Sequence, residues 1–472
     1  MTKFFTIVLS FIFVLNASGQ DTSKDVTITA SGSGASMEEA QQSALRSATE
    51  QAFGAFISSK TEIFNDQIVA DEISSVSSGN IKSFDILNQA QLPDGRWACT
   101  LKALVSVDKL TSFVQAKGIA IEIKGGLFAL NIKQQLLNEQ GEINAVTEMV
   151  GLLHENLQRS FDYAISSGEP QSVDAGKKWS IPLSVKATYN KNMDFCADYF
   201  MKTLGGISQS KTEAESYMSL SKPVYIVEIK RNNQSIKYYL RKSISFDAIT
   251  SLSTNWDFYT KLFSVKTGMQ ELSGNKIEYL GENRNSFKFI GTAQPLINGG
   301  KQVAINFPSS GQIAKEYSWD IVKTLEEIEQ MTDISVRPIG VYSKFSNGGF
   351  VVHEKDGHGL VLSLIDIGEE SIWNDAKTAC DELVLNGYFD WRLPTKDELE
   401  LVINSAFKLG IRFSKKLPVD YWSSSPCTDS DCGSCPPKNG QWVMGARGSN
   451  IGSPFCNQNE GWRCKVLAVR TY

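Results

Sequence analysis

Residues 387–407 read GYFDWRLPTKDELELVINSAF, and this stretch decides the fold of the last part of the chain. Thr395 and Glu398 have the spacing of a capping box, which marks the first turn of a helix. Leu399 and Val402 then begin an apolar stripe that continues at helical spacing. The stretch therefore predicts a turn that leads into an amphipathic helix packed against a core.

A second helix and several short strands surround this stretch. In IWNDAKTACDEL (372–383), the side chains of Trp373, Ala376 and Cys380 share one helix face. The later segments YWSSS, QWVMG and WRCKVLAVR predict strands. We expect Arg392 to lock its turn by an ion pair with Asp390 or another nearby carboxylate. The residues expected to hold this framework together are Trp373, Asp390, Trp391, Arg392, Pro394 and Glu398.

Cysteines are concentrated in the same part of the chain. Six of the eight lie there, namely Cys380, Cys427, Cys432, Cys435, Cys456 and Cys464. An even-numbered cluster in an exported chain predicts a disulfide framework. Two alternatives stay open: zinc binding by the cysteines of residues 427–435, and a redox pair in CGSC (432–435). Zinc lacks a convincing fourth ligand, and Pro436 interrupts the helix that a redox pair would need.

Taken together, WNDAKTAC, DWRLPTKDEL, YWSSS and RCKVLAVR resemble the Lcl-type C-terminal domain. That family is named for collagen-like bacterial adhesins and is related to the C-type lectin-like fold. The resemblance covers about Gly348 to Arg470 and places a domain at residues 336–472. It implies a disulfide between Cys380 and Cys464. The other four cysteines of the cluster would then pair among themselves in one of three ways.

The same module carries candidates for ligand contact, because aromatic rings can stack on a sugar. These candidates are Trp422, Trp442 and Trp462, together with Arg447. For each aromatic residue, burial in the core of a small β-rich domain is the competing interpretation. A calcium site from Asp429, Asp431 and Glu460 is a further alternative, although solvated loop carboxylates are the commoner outcome. We predict no cofactor and no bound metal.

The first residues predict a secretory signal peptide over residues 1–19. Lys3 supplies the positive charge, Phe4 to Leu15 form an apolar run, and Ala17 and Gly19 fit the cleavage rule. The run is shorter than the ~20 residues of a membrane-spanning helix. We therefore expect an exported protein without a transmembrane segment in the mature chain. It would lie in the periplasm, at the outer membrane or on the cell surface.

Length and composition narrow the class of protein further. With 472 residues, the chain predicts about three domains at ~150 residues each. A net charge of −5 speaks against a chain-wide grip on nucleic acid, so no nucleic-acid partner is expected. The three histidines (His154, His353 and His358) lie in different contexts, which argues against a multi-histidine metal site.

Residues 26–118 predict a small α/β domain. VTITASGSG (26–34) predicts a strand and a glycine turn, and Ser36 with Glu39 forms a capping box. The helix that follows carries alanines at four-residue spacing, which suits close packing. IKSFDIL and WACTLKALVSV flank Pro93-Asp94-Gly95 and predict a hairpin, with Cys99 in the core.

The segment GSGASMEEAQQSALRSATEQAFG, the strand pair and SVDKL resemble a small α/β domain of bacterial envelope proteins. Flagellar assembly protein T and certain outer-membrane lipoproteins carry that domain. The resemblance implies an envelope-associated interaction module, with no active site to transfer.

Residues 119–335 predict a mixed α+β middle region of no recognised family. Ile143 to Leu157 predicts an amphipathic helix, in which His154 is a satisfied structural histidine. Trp179 to Tyr189 alternates as a strand, and VYIVEIK and IKYYLR predict a hairpin. WDIVKTLEEIEQM (319–331) predicts a helix. The fold class is therefore α+β and multidomain.

These patterns favour a non-enzymatic binding protein of the cell envelope or surface. Its C-terminal module would recognise an extracellular or envelope glycan or protein, as an adhesin does. The alternative is a structural component of an envelope assembly that makes protein contacts through the same module. A third hypothesis is a cysteine-dependent enzyme, because formylglycine-generating enzymes have a distantly related fold. No Ser-His-Asp, Cys-His or paired-carboxylate arrangement can be assembled from the sequence to support it.

Overall fold

Helices alternate with several β-sheets along the described chain, which confirms the predicted α+β class. The computed structural model describes residues 25–56, 80–109, 112, 127–268, 270–284, 289–331, 333–339, 345–346, 348–355, 358–363, 372–383, 385, 388, 390–409, 419–426, 441–447, 450–451, 455–457 and 463–472. The predicted signal peptide, residues 1–19, lies outside them. None of the helices within these ranges combines the length and the apolarity needed to cross a lipid bilayer.

The first region is a three-stranded antiparallel sheet packed against a helix. Its elements are β1 (Asp25–Gly34), α1 (Met37–Phe56), β2 (Ile81–Gln91) and β3 (Trp97–Ser106). The strand order is β1-β3-β2. The predicted hairpin is confirmed: Leu92 N donates to Arg96 O at 2.7 Å, and Gly95 has a φ of +94°. Cys99 is buried in the core, also as predicted.

Helix α1 lies close to the end of β1 because the residues that meet there are small. The predicted alanine stripe is fully buried, at 0% exposed for Ala40, Ala44, Ala48 and Ala52. A Cβ on Gly32 would overlap the backbone of Ala44. Residues 32–34 continue strand β1, so the prediction of a glycine turn is wrong. Glycine is needed there because the helix approaches the strand so closely.

Helix α2 (Leu127–Leu157) takes part in two cores. Near its N-terminal end, the Gln134 amide accepts a hydrogen bond from Thr27 N (2.9 Å) and donates one to Thr27 O (2.7 Å). Leu137 is buried in the core of the first region. From Ile143 onward, the buried residues of the helix belong to a second core, which confirms the predicted helix and extends it.

The middle region continues from helix α2 through three sheets and several shorter helices. Its further elements are β4 (Phe161–Ser167), β5 (Gln171–Val173), β6 (Lys178–Tyr189), α3 (Lys191–Ile207), α4 (Lys211–Ser219), β7 (Tyr225–Arg231), β8 (Gln234–Leu240), α5 (Ser243–Tyr259), β9 (Phe263–Thr267), β10 (Gln270–Ser273), α6 (Gly274–Leu280), β11 (Glu282–Arg284), β12 (Gln294–Pro295), β13 (Lys301–Asn306), β14 (Ile313–Lys323), α7 (Leu325–Glu329) and β15 (Ile334–Pro338).

The sheets of the middle region have the orders β11-β14-β6-β4, β12-β13-β7-β8 and β10-β9-β15. Strand β5 also pairs with β6, and β13 runs parallel to β7. The predicted strand at residues 179–189 is confirmed as β6. The predicted hairpin is confirmed as β7 and β8, and its turn residues Asn232 and Asn233 have φ values of 49° and 62°.

The predicted helix at residues 319–331 is wrong in its first half. Residues up to Lys323 continue strand β14, in which Trp319 lies opposite Leu183 of β6. Lys315, Tyr317 and Trp319 are buried at every second position, so the strand period decides the structure here. The helical part is limited to α7, which begins at a capping box.

The C-terminal module, defined here as residues 345–472, contains two further sheets and two helices in its described part. Its elements are β16 (Phe345–Ser346), β17 (Gly349–Lys355), β18 (His358–Leu362), α8 (Trp373–Asp381), α9 (Lys396–Leu409), β19 (Val419–Pro426), β20 (Gln441–Arg447), β21 (Asn450–Ile451), β22 (Phe455–Asn457) and β23 (Val469–Thr471). The sheet orders are β16-β17-β18-β23 and β19-β20-β21, with β22 also on β20. The first and last strands of the module therefore share one sheet.

The C-terminal module begins later in the chain than the predicted residue 336, because strand β15 belongs to the middle region. Its residues Ile334 to Pro338 pair with β9, so they belong to a sheet of the middle region. The predicted boundary between residues 335 and 336 falls inside that strand. The module begins with β16, whose Phe345 lies in the same buried cluster as Leu92 of the hairpin and Met149 of helix α2.

Candidate binding module and its junction

The turn before helix α9 is held by a bidentate ion pair between Arg392 and Glu398. Arg392 donates from Nη1 to Glu398 Oε2 and from Nη2 to Glu398 Oε1, each at 2.7 Å. Glu398 Oε2 also accepts from Thr395 N (2.9 Å), and Thr395 Oγ1 accepts from Glu398 N (3.3 Å), which confirms the capping box. The hydrogen bonds from Arg392 lower the pKa of Glu398. The carboxylate that locks the turn is thus Glu398, and not Asp390.

Replacing Glu398 with alanine is expected to lower the free energy of unfolding by about 1–2 kcal/mol. The variant loses the ion pair and the helix cap, but the Arg392 side chain is 39% exposed, so water compensates part of the loss. Chemical denaturation of the full chain measures the change. Glu400→Ala, an exposed position on the same helix, is the matched control. Equal losses in the two variants would contradict the assignment.

Asp390 is paired with the last strand instead. Arg470 Nε donates to Asp390 Oδ1 at 2.8 Å, and its guanidinium carbon lies 3.8 Å from the centre of the Tyr388 ring. Arg392 and Val469 exchange two backbone hydrogen bonds of 2.9 Å. The turn and the end of the chain are thereby joined by side chains and by backbone.

The remaining framework residues bond to neighbouring segments of the module. Trp373 Nε1 donates to Ser423 O (2.9 Å), and Pro394 O accepts from Ser424 N (2.7 Å). Trp391 is almost fully buried, and its Nε1 donates to Leu385 O at 3.4 Å. The turn, helix α8 and strand β19 therefore form one connected scaffold.

Strands β19, β20 and β22 bring several chain segments to one end of their sheet. Pro426 lies opposite Gln441, and Gln441 lies opposite Asn457. The segment after Pro426 and the segment after Asn457 therefore leave the sheet at the same end. The scaffold fixes where these two segments begin.

The ligand-contact candidates divide into one buried residue and three whose side chains are not described. Trp422 is 2% exposed and belongs to the core, so packing, and not ligand contact, describes this residue. Its strand β19 is bonded on one side to Trp373 of helix α8 and on the other to Lys465, near the end of the chain. Trp462 lies outside the described residues, and for Trp442 and Arg447 only the strand backbone is described.

The six cysteines of the predicted disulfide framework are also described only in part. Cys380 and Cys464 are both buried in the second core, and burial raises the pKa of the Cys380 thiol to about 12. Cys380 is a free thiol in the structure, and its pairing with Cys464 stays a prediction. Cys427, Cys432 and Cys435 lie outside the described residues, as does the side chain of Cys456. The alternative calcium ligands (Asp429, Asp431 and Glu460) also lie outside them.

The C-terminal module packs against helix α2 through Phe345, and this contact was not predicted from the sequence. A Cβ on Gly151 would overlap the Phe345 ring, so glycine at this helix position makes room for the aromatic side chain. The ring of His154 packs edge-on against Phe350, with ring centres 5.5 Å apart. His154 also contacts the Tyr259 hydroxyl, and burial lowers its pKa to about 3. The predicted structural role of His154 is confirmed.

Arg96 connects the hairpin of the first region to this junction. Its Nη2 lies 2.7 Å from Glu155 Oε2 and 2.6 Å from Asp94 Oδ2. Its Nη1 donates to Phe345 O (3.5 Å), while Phe345 N donates to Glu155 Oε2 (3.3 Å). The β2–β3 turn, helix α2 and strand β16 therefore meet in one network of charged hydrogen bonds.

Comparison with known proteins bears on the C-terminal module alone. Residues 351–470 match the family model of the Lcl C-terminal domain, which confirms the predicted resemblance over these residues. No curated protein matches the chain, and no solved structure matches it. The relation to the C-type lectin-like fold and the resemblance of the first region to envelope proteins stay predictions. The C-terminal module is similar to the Lcl C-terminal domain, which indicates an adhesin-like or other surface protein.

Proposed function

We propose that this chain is an exported, non-enzymatic binding protein of the cell envelope or surface. Its C-terminal module would recognise a glycan through the segments that leave the sheet after Pro426 and Asn457. The observation that carries the proposal is the common end of strands β19, β20 and β22, because loops fixed on a rigid scaffold are where recognition residues usually lie. The similarity to the Lcl C-terminal domain supports the surface location.

The cysteines fit this function as structural elements. Three of them follow Pro426 within nine residues, and Cys456 lies on strand β22, opposite Trp442. Disulfides among the four would hold the recognition segments against the scaffold in an oxidising compartment. Cys99 and Cys196, in contrast, are buried, and burial raises their thiol pKa values to about 11 and about 12. Such thiols are poor nucleophiles, which speaks against these two as groups of a cysteine-dependent enzyme.

A saccharide array tests the proposal with the full chain, folded with the six cysteines between Cys380 and Cys464 oxidised, in calcium and in chelator. We expect a reproducible signal for at least one saccharide class, reduced at least tenfold in Trp442→Ala, which lies beside Gln441 at this end of strand β20. Lys237→Ala, an exposed position on strand β8, serves as the matched control and should bind normally. A folded chain that binds no saccharide would overturn the glycan proposal. Capture of one envelope protein in its place would favour the structural-component alternative.

A further inference from the structure

His154 of helix α2 lies at the contact between that helix and the C-terminal module. Its side chain is only 3% exposed, and its ring packs edge-on against Phe350 of strand β17. Tyr259 of helix α5 also packs edge-on against the ring, with ring centres 6.0 Å apart. The other two histidines, His353 and His358, are exposed. His154 is therefore the one histidine of the chain that this contact shields from water.

The hydrogen bonds around this ring fit a neutral imidazole. Ser251 of helix α5 donates its hydroxyl proton to Ala248 O at 2.6 Å. Its oxygen can therefore only accept from Nε2 of His154, which lies 3.5 Å away. With the ring proton on Nε2, Nδ1 accepts from the Tyr259 hydroxyl. A second ring proton, on Nδ1, would face that hydroxyl proton and break the bond. The network thus specifies one uncharged tautomer.

The groups around the ring in the described part of the chain offer no carboxylate that would compensate a positive charge on it. Tyr163 of strand β4 donates its hydroxyl to Tyr259 O at 3.2 Å, and Cys196 of helix α3 interacts electrostatically with Tyr259. Glu155 follows the histidine in helix α2, but its carboxylate is paired with Arg96 at 2.7 Å. A protonated imidazole would therefore be a buried charge without a counter-charge in contact.

We propose that His154 is an acid-sensitive switch, which keeps the C-terminal module packed on helix α2 while the ring is neutral and releases the module when the ring is protonated. Opening the contact with Phe350 lets water reach the imidazole, so the open form binds a proton that the closed form excludes. Burial lowers the pKa of His154 from its ordinary value of 6.5 to about 3 in the closed form. The stability that this group gives the closed form is therefore complete above about pH 6.5 and is lost as the pH falls from there toward 3.

Hydrogen exchange of the full chain at pH 7 and pH 5 tests the switch, with rates corrected for the intrinsic effect of pH. The ratio of wild-type protection to that of His154→Gln isolates this histidine, because every other titrating group is the same in the two proteins. For the amides of β17 and β18, this ratio is expected to fall by about twentyfold between pH 7 and pH 5. In strand β1, whose buried side chains form a separate core, the ratio should stay constant. His353→Gln, which changes an exposed histidine, is the matched control and should respond as the wild type does.

The imidazole itself gives a second measurement, which needs no variant to fold. Nuclear magnetic resonance of the wild-type chain with isotope-labelled histidine should show His154 as the neutral tautomer with its proton on Nε2 as long as β17 and β18 are protected. An imidazole that is protonated at pH 6 while these strands stay protected would overturn the proposal. So would a protection ratio in β17 and β18 that does not change between pH 7 and pH 5. An equal fall of the ratio in β1 would show that the whole chain responds, and would also overturn it.

Discussion

Replacing Phe345 with alanine is expected to lower the free energy of unfolding by about 3–5 kcal/mol. Phe345 is 2% exposed, lies against Gly151 and packs edge-on against Phe350, with ring centres 5.8 Å apart. Its removal leaves a cavity between helix α2 and the first sheet of the C-terminal module, whereas the backbone hydrogen bonds of residue 345 with Arg96 and Glu155 can still form. Chemical denaturation of the full chain measures the loss.

A double-mutant cycle with Gly151 separates this specific contact from general loss of packing. Gly151→Ala alone is expected to destabilise by about 1–3 kcal/mol, because its Cβ would overlap the Phe345 ring. In the Phe345→Ala background the same change fills part of the cavity and gains helix propensity, so it should be neutral or stabilising. A coupling energy of at least about 1 kcal/mol is expected. Strictly additive effects would show that the two residues do not touch.

Replacing Glu278 with alanine is expected to destabilise the middle region by a similar amount, about 3–5 kcal/mol. Lys261 and Lys315 are each only 7% exposed, and both are paired with Asp257 and Glu278. The Lys315 ammonium lies 2.7 Å from Asp257 and 2.8 Å from Glu278. Without Glu278, two buried ammonium groups would share one carboxylate that is itself largely exposed. Leaving a buried charge uncompensated is what makes the loss large.

The control for Glu278 is Asp320→Ala, an exposed acidic residue on strand β14. It removes the same charge from the same region and should change stability by less than about 0.5 kcal/mol. Thermal unfolding at low and high salt distinguishes the two sites further, because buried pairs are screened less than exposed charges. A Glu278→Ala protein as stable as Asp320→Ala would contradict the assignment of the cluster.

Local features of this fold could be predicted from the sequence. The Thr395–Glu398 capping box, the alanine stripe of helix α1 and the hairpin at Asn232 each depend on residues a few positions apart. Their geometry is decided by helix period, turn chemistry and capping, which act within a few residues. The partner of Arg392 could be predicted only as a nearby carboxylate, and the structure shows that it is Glu398, six residues later.

Features that join distant segments could not be predicted. Gly151 shows in the sequence only as a glycine inside a helical pattern, and its partner Phe345 lies almost two hundred residues away. The middle-region ion cluster joins Asp257, Glu278 and Lys315 from separate elements in the same way. No periodicity signals such contacts, because they depend on how the elements pack. An isolated glycine in a predicted helix was the one available sign of a close approach.

The two wrong local predictions have physical causes of the same kind. Residues 319–323 have apolar spacing that fits a helix, but pairing with β6 and burial against β9 favour the strand. Residues 32–34 suit a turn by composition, but helix α1 packs directly on them. In both places tertiary packing overrides the local preference.

The junction at Phe345 has a consequence for the proposed function. The C-terminal module shares its core with helix α2 and the hairpin of the first region. The proposed recognition segments, which follow Pro426 and Asn457, thus begin on a scaffold that shares its core with the rest of the chain. A fragment that starts at residue 336 would cut strand β15 and would lack helix α2, against which Phe345 packs. Binding is therefore best measured on the full chain.

The most direct test of the account replaces residues 427–440 with a Gly-Ser linker of equal length, together with Cys456→Ser, in the full chain. Saccharide binding and thermal unfolding are measured for this protein and for the wild type. The account predicts that the wild type binds, that the replaced protein does not, and that their unfolding midpoints differ by only a few degrees. A replaced protein that binds the same saccharide with unchanged affinity would contradict it.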